Sequence, residues 1–188
     1  MTLSGNGCSS QAPGSRLGLD ATAPPGANRP DNPGVSDRPI RIRVGVLIWR
    51  DGEVLLVRHE KGGRSYWLVP GGGLDPGETM LEAGAREVLE ETGYSVEMGR
   101  LHLICEAIDP KPGGRHIVNV VYAGTVRGGT LTVGVDDKSL RDAQWHPLEA
   151  LETLEMYPPI GADLLACTRD ETGCTVRVLG NTWRPYEA

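Results

Sequence analysis

Residues 72–94 read GGLDPGETMLEAGAREVLEETGY. A polar turn, DPGE, gives way here to a segment with the marks of a helix. Thr79 followed three residues later by Glu82 is a capping box, and the helical pattern runs to Thr92 before Gly93 ends it as a C-cap. At about 100° per residue, Leu81, Ala85, Val88 and Thr92 fall in one stripe about 60° wide, which predicts the buried face. Glu87, Glu90 and Glu91 share a different face, within about 100° of arc. Like charges at helical spacing repel by a few tenths of a kcal/mol per exposed pair, and an acidic helix face is ordinarily just a solvated one. Its surroundings argue otherwise. Gly71, Gly72 and Gly73 remove side chains where a phosphate or metal would approach the backbone. Arg86, four residues after Glu82 and four before Glu90, can pair along the helix and hold a carboxylate. Clustered carboxylates with a gap for phosphate are what Mg²⁺ or Mn²⁺ favours.

Outward from this segment the chain alternates between strand and turn signals. IRIRVGVLIW from Ile40 and EVLLVRH, separated by Asp51-Gly52, predict a two-stranded hairpin, and YWLVP a short strand running into the glycines. Beyond the helix, YSVEMGRLHLICEAI and HIVNVVYAGTV predict two longer strands around the breaker-rich DPKPGGR. LTVGV, AQWHP and TVRVLGNTW predict shorter strands, and PLEALETL and PIGADLLACTR short helices. This order implies an α/β or α+β sheet domain over residues 39–188. Residues 1–38, dense in Gly, Pro, Asn, Ser and Asp, hold too little apolar surface to offset the entropy of ordering and are read as a mobile tail.

The 188 residues and 39% apolar content suit one catalytic domain with a real core. A net charge of -6 and a pI near 5.2 exclude a general binder of extended nucleic acid, because no basic tract neutralises a run of phosphates. Any polyanionic substrate must be met locally, by a metal and a few arginines. No stretch approaches the roughly 18 apolar residues of a membrane span, and the first residues carry no leader pattern, so a cytoplasmic location is expected. Cys8, Cys105, Cys167 and Cys174 lack CxxC spacing and are read as separate reduced thiols, although Cys167 and Cys174 could meet across a turn.

Taken as one string, residues 72–94 have the form G, five residues, E, seven residues, REVLEETG and a hydrophobic. This resembles the Nudix box, matching at Gly72, Glu78, Arg86, Glu87, Val88, Glu90, Glu91 and Gly93, with Tyr94 where an aliphatic residue is more usual. The resemblance implies a Nudix fold, a curved mixed β-sheet sandwiched between helices, and hydrolysis of a nucleoside diphosphate linked to another group. It implies Glu87, Glu90 and Glu91 as ligands of Mg²⁺, or of Mn²⁺ in its place, joined by a backbone carbonyl at Gly71 or Gly72. Arg86 is then the orienting partner and Glu78 a supporting carboxylate. A homodimer, formed through the strand near residues 40–50, is a further expectation from the resemblance.

Hydrolysis also needs a base, either a box glutamate or a carboxylate from a loop. Asp136 and Asp137 are preferred, because an acidic loop there could close over substrate; Glu106 and Asp109 are the other candidates. Arg58, Arg64 and Arg115 are candidate phosphate clamps, Gly72 and Gly73 the close-approach positions. Tyr66 or Trp67 is a candidate to stack on a base or sugar, Trp67 being equally suited to anchor the core. Pro110, sixteen residues beyond the box, resembles the spacing in ADP-ribose pyrophosphatases of this superfamily. ADP-ribose or another nucleotide sugar is thus ranked ahead of a modified nucleoside triphosphate, and ahead of a non-catalytic sensing module, since every charged box position is present.

Overall fold

The computed structural model describes residues 38–134, 139–170 and 175–185. The expected tail therefore lies outside the described residues except for Arg38, and so do Asp136, Asp137, Cys8 and Cys174. In chain order the elements are β1 (Arg41–Arg50), β2 (Glu53–Lys61), β3 (Arg64–Leu68), β4 (Gly71–Gly73), α1 (Met80–Thr92), β5 (Tyr94–Ile108), β6 (His116–Gly129), β7 (Leu140–Pro147), a 3₁₀ turn (Leu148–Glu152), α2 (Gly161–Thr168) and β8 (Arg177–Asn181). No helix among them is long and apolar enough to cross a membrane.

The strands form one mixed sheet that splits along β1. Asp51 and Gly52 both have positive φ, 51° and 81°, as a tight two-residue hairpin turn demands. The hairpin itself is short, pairing only Trp49 with Val54 and Arg50 with Glu53. Further back β1 leaves β2 and runs parallel to β6 from Arg41↔Ile117 to Ile48↔Gly124, while its other edge takes β4. β2 is flanked instead by β3 and β7. The first half of β1 thus belongs to the strip β4-β1-β6-β5-β8 and its last residues to the hairpin with β2.

Alternation along β1 divides the core in two. Val46 and Ile48 point to the side where Val88 of α1 packs with Leu55 and Tyr94. Leu47 points to the opposite side, into a larger cluster with Leu56, Leu103, Leu151, Leu164 and Leu165 around α2. The sheet is buried on both faces, which is why IRIRVGVLIW turns wholly apolar in its second half.

Three expectations are corrected by the fold. A triple glycine taken alone suggests a turn, but the three glycines are a strand, β4, paired Arg43↔Gly73, Val44↔Gly72 and Gly45↔Gly71. The buried face of α1 is Ala83, Gly84, Val88, Glu91 and Thr92, while Leu81 is 45% exposed. The reason is close approach: a Cβ on Gly84 would stand 2.6 Å from Met98 Cε and 3.2 Å from Val46, so small residues meet the sheet and Leu81 rotates outward. Thr79 caps α1 with the reciprocal Glu82 bonds and Gly93 closes it in the left-handed region, both as expected. LTVGV is not a strand over residues 131–134; its Thr132 and Gly134 N–H groups donate to the Thr92 and Glu91 carbonyls at the end of α1.

Candidate active site

α1 lies against β4 with Glu91 and Glu87 facing the glycines. The Gly71 N–H donates to Glu91 Oε2 at 2.8 Å, and His59 Nε2 lies 3.3 Å from Glu91 Oε1. His59 is held in turn by Ser139, whose Oγ is 2.9 Å from Nδ1. With both oxygens engaged, Glu91 tolerates being only 5% exposed. Glu87 lies directly on Gly72: a Cβ there would fall within its carboxylate group. Behind this corner Arg43 is buried and donates to the Val69 carbonyl at 3.0 Å and the Gly71 carbonyl at 2.8 Å. Burial pulls the Arg43 guanidinium below its usual pKa, with the charges of Glu91 and Glu87 opposing that shift.

Arg86 ties the acidic face together. Its guanidinium is bidentate on Glu78, with Nη2 at 2.7 Å and Nε at 3.1 Å, while Nη1 reaches Glu87 at 2.8 Å and Glu90 at 3.3 Å. Nη2 also donates to the Gly73 carbonyl at 3.2 Å, fixing the helix to β4. The Glu78 bonds hold Arg86 above its ordinary pKa and hold Glu78 below the usual carboxylate range. Glu87 moves the other way: burial raises its pKa more than Arg86 lowers it. Arg86 was expected to pair with Glu82 and Glu90; Glu82 is instead committed to the cap, and Glu78 takes its place.

Glu87, Glu91 and the three glycines form one wall of a cavity of about 650 Å³, whereas Glu78, Arg86 and Glu90 lie outside its lining. Its lining places Gly71, Gly72, Gly73, Glu87 and Glu91 beside Arg41, Arg43, Lys61, Lys111 and Arg115. Among the described residues Arg41, Lys61, Lys111 and Arg115 have no ion pair, whereas Arg58, Arg100, Arg127, Arg141 and Arg177 each have an acidic partner. An acidic protein has thus gathered four unneutralised cations around one cavity. Of the three clamps expected from sequence, Arg115 lines the cavity. Arg58 does not, being turned to Asp142 at 3.8 Å and lying 5.9 Å over the Trp67 ring. Arg64 faces a second depression beside Ser65 and Leu151.

Tyr66 lines the cavity, while Trp67 is a core anchor, edge-on to His146 at 4.3 Å. Asp109 reaches the cavity and Glu106 pairs with His116 at 3.6 Å. His59, Arg41, Arg43, Lys61 and Lys111 were not anticipated. The RIR alternation at residues 41–43 carried a signal for two of them, since a strand places Arg41 and Arg43 on one face. Nothing local marked His59, which reaches Glu91 only through the fold.

Whether a cation fits can be tested on the donors themselves. Among the described residues no three His, Cys, Asp or Glu side chains converge into a metal cage. Mg²⁺ does not require one, because it binds through one or two carboxylates and keeps water and phosphate oxygens for the rest. Glu87 and Glu91 at the glycine corner, with half-exposed Glu90 alongside, are an all-oxygen set of that kind. Burial raises the Glu87 pKa despite its bond to Arg86, and a divalent ion beside it would favour the ionised form. The Gly71 carbonyl is a weaker candidate ligand than expected, since the Arg43 guanidinium already occupies it.

The NUDIX domain family matches residues 39–166 of this chain. The chain belongs to the Nudix family. It is 32% identical over 114 residues to an ADP-ribose pyrophosphatase of Methanocaldococcus jannaschii, covering 60% of this chain and 65% of that protein. It is 35% identical over 128 residues to diphosphoinositol polyphosphate phosphohydrolase 2 of Rattus norvegicus, covering 67% and 66% respectively. The chain spans just under two thirds of both these curated relatives. Its Nudix fold is shared with a solved NUDIX hydrolase from Nitrosomonas europaea, with TM-score 0.62, 24% identity, and coverage of 70% of this chain and 89% of that one.

Proposed function

We propose that this Nudix domain hydrolyses the diphosphate linkage of a nucleoside diphosphate joined to a second moiety, ADP-ribose or another nucleotide sugar, with Mg²⁺ held by Glu87, Glu90 and Glu91. The observation that carries the reading is the pairing, in one cavity, of carboxylates packed on a glycine corner with Arg41, Lys61, Lys111 and Arg115, which have no ion pair among the described residues. Mg²⁺ bound there supplies positive charge to the phosphate oxygens and a lowered pKa to a coordinated water.

The protein's own groups do the rest. Arg41, Lys111 and Arg115 offset phosphate charge, and Arg41 lies close over Gly73, next to the carboxylates. Arg43 and His59 keep the glycine corner and Glu91 in fixed positions, so little reorganisation accompanies the reaction. Water attacks one phosphorus as the bond from it to the bridging oxygen breaks, and a carboxylate takes the water's proton. Asp136 or Asp137 is assigned that role, because Ser139, two residues beyond Asp137, lines the cavity through its bond to His59. ADP-ribose ranks first on the spacing of Pro110 and on the ADP-ribose pyrophosphatase among the relatives.

A panel of ADP-ribose, other nucleotide sugars, dinucleoside polyphosphates and nucleoside triphosphates, each with Mg²⁺ and with Mn²⁺, tests this. Cleavage of a nucleotide sugar to a nucleoside monophosphate and a sugar phosphate is the expected result. Hydrolysis of none of them overturns the proposal.

A further inference from the structure

The last strand brings to the cavity an aromatic ring that the Nudix box does not contain. β8 runs parallel to β5, with Leu103 opposite Arg177 and Glu106 opposite Asn181. Its end is pinned by hydrogen bonds on consecutive residues. The N–H groups of Ile108 and Trp183 both donate to Asn181 Oδ1, at 2.9 and 3.0 Å. The Thr182 N–H and hydroxyl both donate to the Glu106 carbonyl, at 2.7 and 2.8 Å. This clasp fixes the backbone of Trp183, which lines the cavity.

Trp183 differs from the other tryptophans in how its ring is used. Trp49 meets the His102 ring at 5.6 Å, Trp67 meets His146, and Trp145 meets Tyr94 and carries the Arg50 guanidinium at 4.3 Å. Trp183 has no ring or cation partner among the described residues. A half-buried indole on a pinned backbone, turned to a cavity and lacking a stacking partner, is completed by a flat ligand.

Trp183 shares one cavity with the carboxylates of the glycine corner. In the strip β4-β1-β6-β5-β8 the glycines and β8 are the two ends, so the cavity runs across the sheet between them. Lys111 and Arg115, on the loop joining β5 to β6, line the same cavity. Carboxylates, cations and an aromatic face thus share one cleft.

We propose that Trp183 is a specificity-determining residue that stacks on the nucleobase while the diphosphate lies toward Gly72 and Glu87. This rests on the nucleoside diphosphate reading above. Because every base has a π-face, the stack selects nucleotides as a class over base-free diphosphates and discriminates weakly among bases.

The test compares α,β-methylene-ADP with methylenediphosphonate, two uncleavable diphosphates that differ by the nucleoside, titrated calorimetrically with Mg²⁺ into the full-length protein. Wild-type protein, Trp183→Leu and Trp183→Phe are measured, with thermal melts to show that each is folded. The ratio of the two affinities is expected to fall at least about fivefold in Trp183→Leu and to recover largely in Trp183→Phe. Quenching of indole fluorescence by the nucleotide should weaken in both variants. An unchanged ratio in folded Trp183→Leu overturns the role of Trp183 and leaves the diphosphate reading standing. If wild-type protein binds neither compound, the diphosphate reading itself fails, and this proposal with it.

Discussion

Gly72→Ala separates the chemistry of the site from the stability of the fold. Gly72 has an ordinary strand conformation, so the backbone accepts alanine, and in a strand alanine is favoured over glycine by roughly 0.5–1 kcal/mol. What the new methyl group meets is the Glu87 carboxylate, all of whose terminal atoms lie well inside the 3.4–4 Å of ordinary contact. To restore that distance the carboxylate must retreat by about 1 Å or more, a displacement that costs on the order of a hundredfold in rate when it falls on a reacting group. Thermal melts and kcat/KM for ADP-ribose with Mg²⁺ are the assays. The expected outcome is a melting temperature within about 2 °C of wild type and a fall in kcat/KM of roughly a hundredfold. Gly71→Ala provides the contrast: its φ of 147° and the Val44 carbonyl in the path of a Cβ make it a folding mutation, destabilising by about 1–3 kcal/mol. Wild-type activity in Gly72→Ala would refute the assignment of Glu87 to the site.

Thr79→Ala removes the hydroxyl half of the capping box and is expected to cost about 1 kcal/mol, seen as a melting temperature lower by about 2–4 °C. His102 is buried with neither ring nitrogen bonded among the described residues, and burial, followed by the nearby Arg100, lowers its pKa. Since the unfolded chain then binds the proton more tightly, stability should be full above about pH 6.5 and decline as the pH falls below it; His102→Phe should flatten that limb of a pH-dependent urea titration. Removing residues 1–38, which the sequence reads as a mobile tail, is expected to leave the melting temperature within about 2 °C, and a larger fall would show that the segment packs on the domain.

The parts of the molecule legible in sequence are those whose signals are local. Capping residues Thr79 and Gly93 bound α1 to within a residue, and the run from Tyr94 to Ile108 is β5 as written. The mistakes arose where packing decides. Leu81 belongs to a good amphipathic stripe, but the close approach at Gly84 turns it to solvent and brings Glu91 inside. The glycines look like a turn until β1 is seen to pair with them. Box spacing predicts that Glu87, Glu91 and Arg86 cluster, because one helix carries them all. The cations around the cavity come from β1, the end of β2 and the β5–β6 loop, and Trp183 from beyond β8, so their convergence is a property of the sheet order. That Arg58 has an acidic partner while Arg41 has none among the described residues is visible only in the fold.

In the proposed function, carboxylates of α1 hold the divalent ion that makes diphosphate cleavage possible. Glu90→Gln is its most direct test, because Glu90 is half exposed and only loosely bonded to Arg86, so the fold does not depend on its charge. Turnover of ADP-ribose at saturating Mg²⁺ is expected to fall at least about a hundredfold, with an unchanged melting temperature. Near-wild-type turnover by Glu90→Gln under the same conditions would contradict the account.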